Sequence, residues 1–269
     1  MDLKIGFIGA GNMGGALIRG IANSGILSPD YIYVSDPDTE KVTALQYETG
    51  IQVAKDNKEV VEKSDIIFLC VKPNMIKEVL TPCSEAMDTK KLLVSIAVGV
   101  PIEFYKEIIG HDKKVIRSMP NTPAMIGEGM TLISYDNNVK EEDVKTVIKL
   151  FDCVGKTEIL DEKLMSEVTA LTSSSPAYVY MFIEAMADAA VLSGIGRNLA
   201  YKLAAQAVLG SAKMVLETGK HPAELKDQVC SPAGTTIEAV ASLEKNGFRH
   251  AVIEAMTKCT DKARSIGKK

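Results

Sequence analysis

The chain has 269 residues, of which 46% are hydrophobic and 25% charged, so it can bury one large core or two smaller ones. Its formal net charge is -4 and no window is strongly basic, so we expect neither a nucleic acid nor a membrane as partner. The five cysteines are scattered, and the first residues lack the pattern of a signal peptide. These features predict a cytoplasmic protein with no disulfide framework and no metal site.

The first part of the chain, up to about residue 160, alternates short β-branched runs with amphipathic stretches. The runs lack a polar face, which predicts a mainly parallel sheet covered by helices on both sides. Residues 1–160 are therefore predicted to form a doubly wound α/β domain. The predicted strands are residues 4–9, 31–36, 65–71, 91–98, 114–119, 130–135 and 156–160.

Helix-end signals agree with this pattern. Gly25 follows the first predicted helix, where a left-handed cap belongs, and Pro101 opens a later one. Asp56 and Glu59 have the spacing of a capping box.

A glycine-rich segment, FIGAGNMGGAL, follows the first strand and opens the first helix. Gly9, Gly11 and Gly14 have the G-x-G-x-x-G spacing of dinucleotide-binding loops. In such loops the first glycine allows a tight turn, the second lets the pyrophosphate approach, and the third lets helix and strand pack closely. The sequence predicts a dinucleotide site; the alternative is a glycine turn kept only for packing.

An acidic residue in VSDPD, Asp36, follows the second strand about 20 residues further on, where a ribose-binding acid belongs. Its carboxylate accepts a hydrogen bond from a ribose 2′-hydroxyl and repels a 2′-phosphate, so it favours NADH over NADPH. A register shift of one residue puts Ser35 there instead, and with Lys41 nearby that arrangement tolerates the phosphate.

Three further segments end predicted strands: CVKP at 70–73, AVGV at 97–100 and MPNTPA at 119–124. Sheets of this kind bind ligands along the edge formed by the carboxyl ends of their strands. Each segment is equally consistent with an ordinary turn.

The chain becomes helical from residue 161, with runs rich in Ala, Leu and Met at helical spacing. Helices with so few polar residues need partners on several faces, so residues 161–269 are predicted to form an all-α domain that dimerises. The apolar run 176–196 carries Glu184 and Asp188, which favours a buried helix over a membrane span.

Candidate acids and bases are few. His111, His221 and His250 have neither metal spacing nor a carboxylate nearby in sequence, which is typical of surface or capping histidines. Glu184 and Asp188 stand one turn apart and form either a carboxylate pair of raised pKa or a bridge to a neighbouring helix.

Hydroxyl groups gather instead at two helix starts, TSSSPAY at 172–178 and SPAGTTIE at 231–238. In the second, Thr235 and Glu238 have capping-box spacing, yet capping uses one hydroxyl, and Ser231 and Thr236 remain around a glycine that bares its amide. A helix start rich in N–H groups and hydroxyls is suited to bind a carboxylate.

These segments together resemble the pyrroline-5-carboxylate reductase family. FIGAGNM, VKP, MPNTP, PAYVY, HPAELKDQVCSPAGTTI and GFR occur in the family's order along essentially the whole chain. The resemblance implies a Rossmann-like domain followed by a helical dimerisation domain, with dimers that often assemble into rings. It also implies hydride transfer from NADH or NADPH to the C=N carbon of 1-pyrroline-5-carboxylate, which gives L-proline in the last step of proline biosynthesis.

The resemblance assigns the site residues as well. Thr236 takes the position of the family threonine that hydrogen-bonds the ring nitrogen, where it orients the nitrogen or relays a proton through water. The expected substrate-binding residues are Ser174, Ser231, Gly234, Thr235 and Thr236. The expected cofactor-binding residues are Gly9, Ala10, Gly11, Asn12, Met13, Gly14, Ser35, Asp36, Asn57, Val71, Lys72, Pro73, Ala97, Gly99 and Asn121.

The chain departs from the family pattern in two places. Ser173 and Ser175 replace the glycines of the usual Ser-Gly-Ser-Gly-Pro segment, which narrows backbone freedom near the nicotinamide. Many NADPH-preferring members have Ser-Asn-Arg at residues 35–37, where this chain has Ser-Asp-Pro, and this favours NADH.

Other functions remain open from sequence alone. One is a reductase of another small cyclic imine carboxylate, and a second is a β-hydroxyacid dehydrogenase, which needs a lysine as proton acceptor. Lys163, Lys202 and Lys213 do not lie in the sequence setting of that lysine. A third is a dinucleotide-binding scaffold without turnover, which would be expected to lose the hydroxyl loop.

Overall fold

The structure, a computed structural model, describes residues 3–266. Its centre is one eight-stranded sheet with the strand order β3-β2-β1-β4-β5-β6-β7-β8. The strands are β1 (Ile5–Ile8), β2 (Ile32–Ser35), β3 (Gln52–Val53), β4 (Ile66–Leu69), β5 (Leu92–Ser95), β6 (Lys114–Met119), β7 (Gly129–Tyr135) and β8 (Gly155–Ile159).

Strand directions agree with the predicted sheet. Neighbours from β3 to β6 are parallel, whereas β7 runs antiparallel to β6 and β8 lies parallel to β7. All seven predicted strands are confirmed. The eighth, β3, has two residues, too few to produce a hydrophobic run in the sequence.

Helices cover both faces of the sheet, as predicted. One face carries α1, α2 and α6, and the other carries α3, α4 and α5. Phe7 and Phe68 stack between neighbouring strands on the first face, with ring centroids 4.8 Å apart. The helices are α1 (Asn12–Ser24), α2 (Thr39–Thr49), α3 (Asn57–Lys63), α4 (Ile76–Leu80), α5 (Ile102–Ile109), α6 (Glu141–Phe151), α7 (Met165–Thr172), α8 (Ser175–Leu192), α9 (Arg197–Thr218), α10 (Pro222–Val229), α11 (Thr235–Lys245) and α12 (Phe248–Ile266).

Helix ends follow the sequence signals closely. Gly25 caps α1 in the left-handed conformation with φ 72°, as predicted. Asp56 caps α3 by accepting the Glu59 amide at 2.8 Å. The reciprocal bond of the box runs from the Lys55 amide to Glu59, one residue earlier than predicted. Pro101 is the residue just before α5 rather than its first residue.

The chain divides into two compact units. The sheet unit comprises the described residues up to Ser173 and from Thr260 onward, and the helical unit comprises Ser174–Cys259. Helix α7 belongs to the sheet unit, where Met165 packs on Met119 and Leu132. The domain boundary between residues 160 and 161 stays a prediction.

The helical unit exposes most of its apolar side chains. Its buried hydrophobic residues are the alanines Ala187, Ala200 and Ala204. Helix α8 packs on α9, but Tyr180 and Met181 on α8 are exposed, so the prediction of a buried helix is wrong for the single chain. Within residues 3–266, we find no helix with the length and apolarity that a membrane span requires.

Candidate active site

Two glycines in the turn after β1 are needed because a side chain at either position would clash with the backbone of the chain itself. Gly9 has φ 100°, and a Cβ there would lie 2.6 Å from the carbonyl oxygen of Cys70. A Cβ on Gly14 would lie 2.4 Å from the Gly9 carbonyl oxygen. The first glycine thus permits the turn and the third permits close approach of α1, which are the roles predicted for them.

Gly11 differs from both. It precedes α1, is exposed, and a Cβ on it would meet nothing within 4 Å among the described residues other than its chain neighbours. Packing therefore explains Gly9 and Gly14 but gives no reason for a glycine at this position. The amides of Asn12 and Met13, in the first turn of α1, have no acceptor within the helix. An open cradle at a helix N-terminus fits the pyrophosphate of a dinucleotide.

Asp36 lies directly after β2 and is tied to the glycine turn. Its Oδ2 accepts the Ala10 amide at 2.7 Å, and its Oδ1 accepts the Asp38 amide at 2.9 Å. Each oxygen keeps a further lone pair for a ribose hydroxyl.

The alternative register based on Ser35 does not match the geometry. Ser35 is buried, and its hydroxyl donates to Asn57 Oδ1 at 2.5 Å. The Lys41 ammonium group is 3.1 Å from Asp38 Oδ2, so it is already paired with a carboxylate. The residue available at the end of β2 is Asp36.

Four more of the predicted cofactor residues lie beyond the carboxyl ends of β4, which neighbours β1, and of β5, which neighbours β4. Val71 Cγ1 lies 3.4 Å from the position of a Cβ on Gly9, and the exposed Lys72 precedes a short 3₁₀ helix, Pro73–Met75. Ala97 is buried beyond the end of β5, and Gly99 has φ 82°. Because β1, β4 and β5 are parallel, these ends share one edge with the glycine turn.

Asn121 follows β6, and the backbone engages both ends of its side-chain amide. Its Nδ2 donates to the carbonyl oxygen of Thr172 at 3.0 Å, and its Oδ1 accepts the Met130 amide at 2.9 Å. It holds the end of α7 against the sheet within the sheet unit.

The hydroxyl loop, Ser231–Thr236, is a turn that leads into α11. The Gly234 amide donates to the Ser231 carbonyl oxygen at 3.0 Å. The prediction that this amide is free to bind a ligand is therefore wrong. The left-handed residue is Ala233, with φ 56°, which within residues 3–266 is unique among residues other than glycine. Gly234 has negative φ, and a Cβ on it would lie 2.2 Å from Ser231 Oγ.

The predicted capping box at Thr235 is wrong. Helix α11 begins at Thr235 with Gly234 as its cap, and no side chain makes the capping hydrogen bond. In the described part of the chain, the hydroxyls of Ser231, Thr235 and Thr236 have no hydrogen-bond partner. The loop thus presents unused hydroxyls beside first-turn amides that lack helical acceptors, and such groups are chemically suited to bind a carboxylate.

Ser174 precedes α8 and belongs to the helical unit. Cys259 Sγ donates to Ser174 Oγ at 3.2 Å. Burial, and then the hydrogen bond with Cys259, raise the pKa of the Tyr178 hydroxyl, which also contacts Ser174. Among the described residues, no hydrogen bond joins Ser174 to the hydroxyl loop.

The serines that replace the family glycines fit the backbone without strain. Ser173 has φ -82° and lies at the end of α7, and Ser175 is the first residue of α8. Any residue adopts these conformations, so the glycines' freedom is not needed here.

Two of the other titratable candidates have structural roles. His221 Nδ1 accepts the Ala223 amide at 3.2 Å and caps α10, as predicted for a capping histidine. Asp188 is ion-paired with Arg197, so it does not form a carboxylate pair with Glu184.

Sequence reasoning missed the residues behind Ala97. Ser95 Oγ accepts the Ala97 amide at 3.2 Å and is 2.7 Å from the Tyr105 hydroxyl oxygen. The sequence feature that could have indicated them is the serine inside the apolar run KLLVSIAV.

Comparisons with known proteins give one match to each part of the chain. A family model described as pyrroline-5-carboxylate reductase dimerisation matches residues 162–266, and one described as NADP oxidoreductase, coenzyme F420-dependent, matches residues 4–99. Pyrroline-5-carboxylate reductase of Escherichia coli strain K12 is 52% identical over 268 residues, covering 100% of each chain.

Two solved structures are similar along the whole chain. A pyrroline-5-carboxylate reductase from Coxiella burnetii covers 100% of both chains with a TM-score of 0.94 and 31% identity. Pyrroline carboxylate reductase of Plasmodium falciparum, solved with NADP bound, covers 98% of both with a TM-score of 0.89 and 35% identity.

Proposed function

The chain belongs to the pyrroline-5-carboxylate reductase family, and on this premise we propose that it reduces 1-pyrroline-5-carboxylate to L-proline, the last step of proline biosynthesis. The observation that carries the proposed reaction is the 52% identity to a pyrroline-5-carboxylate reductase along the whole chain, and the open cradle at Gly11, at the start of α1, supports the dinucleotide as hydride donor. A reduced nicotinamide dinucleotide, when bound, supplies the hydride.

The sheet unit holds the dinucleotide. The first-turn amides of α1 receive the pyrophosphate, and the Asp36 carboxylate accepts from the adenosine ribose. The turns after β4, β5 and β6, with Lys72, Ala97 and Asn121, line the rest of the site.

The proposed preference for NADH rests on Asp36. Its carboxylate is fixed by the Ala10 and Asp38 amides, so it cannot turn away from a 2′-phosphate without losing them. Asp36→Ser should raise activity with NADPH relative to NADH, measured as the ratio of kcat/KM values. Glu40→Gln, which removes a neighbouring exposed carboxylate that makes no ion pair among the described residues, is the matched control and should leave the ratio unchanged. An unchanged ratio in Asp36→Ser would remove Asp36 from cofactor choice.

The hydroxyl loop holds the substrate. Its hydroxyls and the first amides of α11 bind the carboxylate, while Thr236 hydrogen-bonds the ring nitrogen. The C=N carbon of the ring is already electrophilic, so placement is the main requirement and no strong base is needed. A threonine hydroxyl is too weak an acid to give its own proton, so Thr236 orients the nitrogen or relays a proton from water.

The test is dinucleotide oxidation by the purified chain with 1-pyrroline-5-carboxylate, run with NADH and NADPH, and with proline identified as the product. Thr236→Ala should lower kcat about 10²-fold, the scale of one transition-state hydrogen bond, while dinucleotide affinity stays unchanged. Thr236→Ser retains the hydroxyl and should keep most of the activity. A fully active Thr236→Ala variant would show that the Thr236 hydroxyl neither orients the ring nitrogen nor relays a proton.

The same assay distinguishes the rival functions. Turnover only with another cyclic imine, or only with a β-keto acid, would replace the proposed substrate. Dinucleotide binding without any turnover would indicate a scaffold.

We also propose a cytoplasmic homodimer formed through the helical unit, with dimers joined into a ring. The exposed apolar side chains of that unit support the dimer, and the five free thiols support a reducing compartment. Light scattering of the purified chain measures the assembly, and a monomer at micromolar concentration would contradict it.

A further inference from the structure

A buried polar network surrounds the turn that joins β5 to α5, residues 96–101. At the start of this turn, Ser95 Oγ accepts the Ala97 amide at 3.2 Å and contacts the Tyr105 hydroxyl at 2.7 Å. Ser95 and Tyr105 are both 0% exposed. The two hydroxyls therefore fix the direction of the Ala97 amide from inside the core.

The far end of the turn is held by a carboxylate. Glu162 Oε1 accepts the Ile102 amide, the first of α5, at 2.8 Å. The same oxygen accepts from Arg117 at 3.3 Å, and the Arg117 side chain is 8% exposed. An amide in the first turn of a helix has no acceptor within that helix, so Glu162 supplies the missing partner.

Stability alone gives no reason for these hydroxyls. Two apolar groups of the same shape in place of a buried hydrogen-bonded pair are nearly neutral or stabilising, so a fully apolar contact between β5 and α5 would hold the core as well. What the hydroxyls add is a fixed orientation for the backbone that follows β5. That backbone includes Gly99, which has φ 82°.

We propose that Ser95, Tyr105 and Glu162 are positioning residues that clamp both ends of the 96–101 turn in the shape that receives the dinucleotide. The inference rests on the proposed function, since Ala97 belongs to the proposed cofactor site. Ser95 acts through the Ala97 amide, Tyr105 acts through Ser95, and Glu162 acts through the Ile102 amide.

The Tyr105 hydroxyl keeps its proton across the physiological pH range. Burial raises the pKa of the Tyr105 hydroxyl to about 12, so the group remains neutral and able to share a proton with Ser95. Its contact with Ser95 is enclosed by the apolar core that includes Tyr105 and Ile109.

The test measures binding of NADH and NADPH to the full-length chain by nicotinamide fluorescence, together with kcat and KM. Ser95→Ala and Tyr105→Phe should each raise the Kd and KM of the dinucleotide about fivefold, the effect of one lost neutral hydrogen bond, with kcat at saturation unchanged. Glu162→Ala should have the same effect. Glu162→Gln keeps an oxygen for the Ile102 amide and should restore most of the affinity.

The matched control is Thr49→Ala. Thr49 is buried at the C-terminal end of α2, and its hydroxyl donates to the Leu45 carbonyl oxygen at 2.6 Å, within its own helix. This variant should lose thermal stability similar to that lost by Ser95→Ala and keep wild-type dinucleotide affinity.

Each outcome decides the inference. Wild-type affinity in both Ser95→Ala and Tyr105→Phe would overturn it, as would an equal loss of affinity in Thr49→Ala. If Ser95→Ala fails to fold, Tyr105→Phe, which removes one oxygen at the edge of the network, carries the test. A wild-type chain that binds neither dinucleotide would overturn the proposed function, and with it the inference that rests on it.

Discussion

The two compact units bury their apolar residues in different ways. The sheet unit encloses Phe7, Phe68 and Tyr105 with no exposure at all. In the helical unit the buried hydrophobic residues are alanines, and this smaller unit carries 17 of the 27 exposed large hydrophobic side chains in the described chain. Contacts within one chain thus explain the fold of the first unit, whereas the second needs a surface that the chain itself does not supply.

The sharpest test of this difference places a charge on an exposed apolar residue in each unit. Met181 on α8 is 69% exposed, and Met181→Asp should raise the dissociation constant of self-association on the order of 100-fold. The reason is that burying an unpaired charge in an interface costs several kcal/mol. Analytical ultracentrifugation across a dilution series measures the constant.

The control for that change lies in the sheet unit. Tyr47 on α2 is 95% exposed, and Tyr47→Asp should leave self-association unchanged. Equal weakening by the two variants would show that association does not depend on the helical unit.

A second test compares two helical glycines. A Cβ on Gly20 in α1 would lie 2.1 Å from Val154 Cγ1, so Gly20→Ala should lower the free energy of unfolding by about 1–3 kcal/mol through overpacking. A Cβ on Gly210 in α9 meets nothing in the chain within 4 Å, so Gly210→Ala should raise it by about 0.5–1 kcal/mol. Urea unfolding measures both. If Gly210→Ala destabilised as much as Gly20→Ala, a partner backbone would have to lie against α9.

A third test concerns pH and the core of the sheet unit. Because burial raises the pKa of Tyr105 from 10.0 to about 12, the folded chain holds this proton more tightly than the unfolded chain. The associated stability is complete below pH 10 and is lost between pH 10 and 12, at no more than about 1.4 kcal/mol per pH unit. Tyr105→Phe should therefore show a shallower fall of unfolding free energy over this interval. A slope equal to that of the wild type would contradict the burial of this hydroxyl.

Local sequence signals predicted the elements of the sheet unit well. Seven apolar runs are strands, and Gly9 and Gly14 make the close approaches expected of them. These features depend on residues near one another in sequence. The strand β3 was missed because two residues carry no periodicity.

Features that depend on distant contacts were not predictable in this way. The clamp around the 96–101 turn joins Ser95 to Tyr105 and Ile102 to Glu162. No local sequence pattern predicts such pairs. The capping box at Thr235 failed because the helix already begins there. The prediction that α8 is buried was wrong because an apolar pattern indicates that a helix face packs against something. It does not indicate whether the same chain or another chain supplies that contact.

The left-handed conformation of Ala233 shapes the proposed substrate loop before substrate binds. Its left-handed φ of 56° is unfavourable for an L residue, by about 1 kcal/mol or more, and persists only where the surroundings enforce it. The bend is therefore present before any substrate arrives. The ordering entropy of the loop is lost once, when the chain folds, rather than at every turnover.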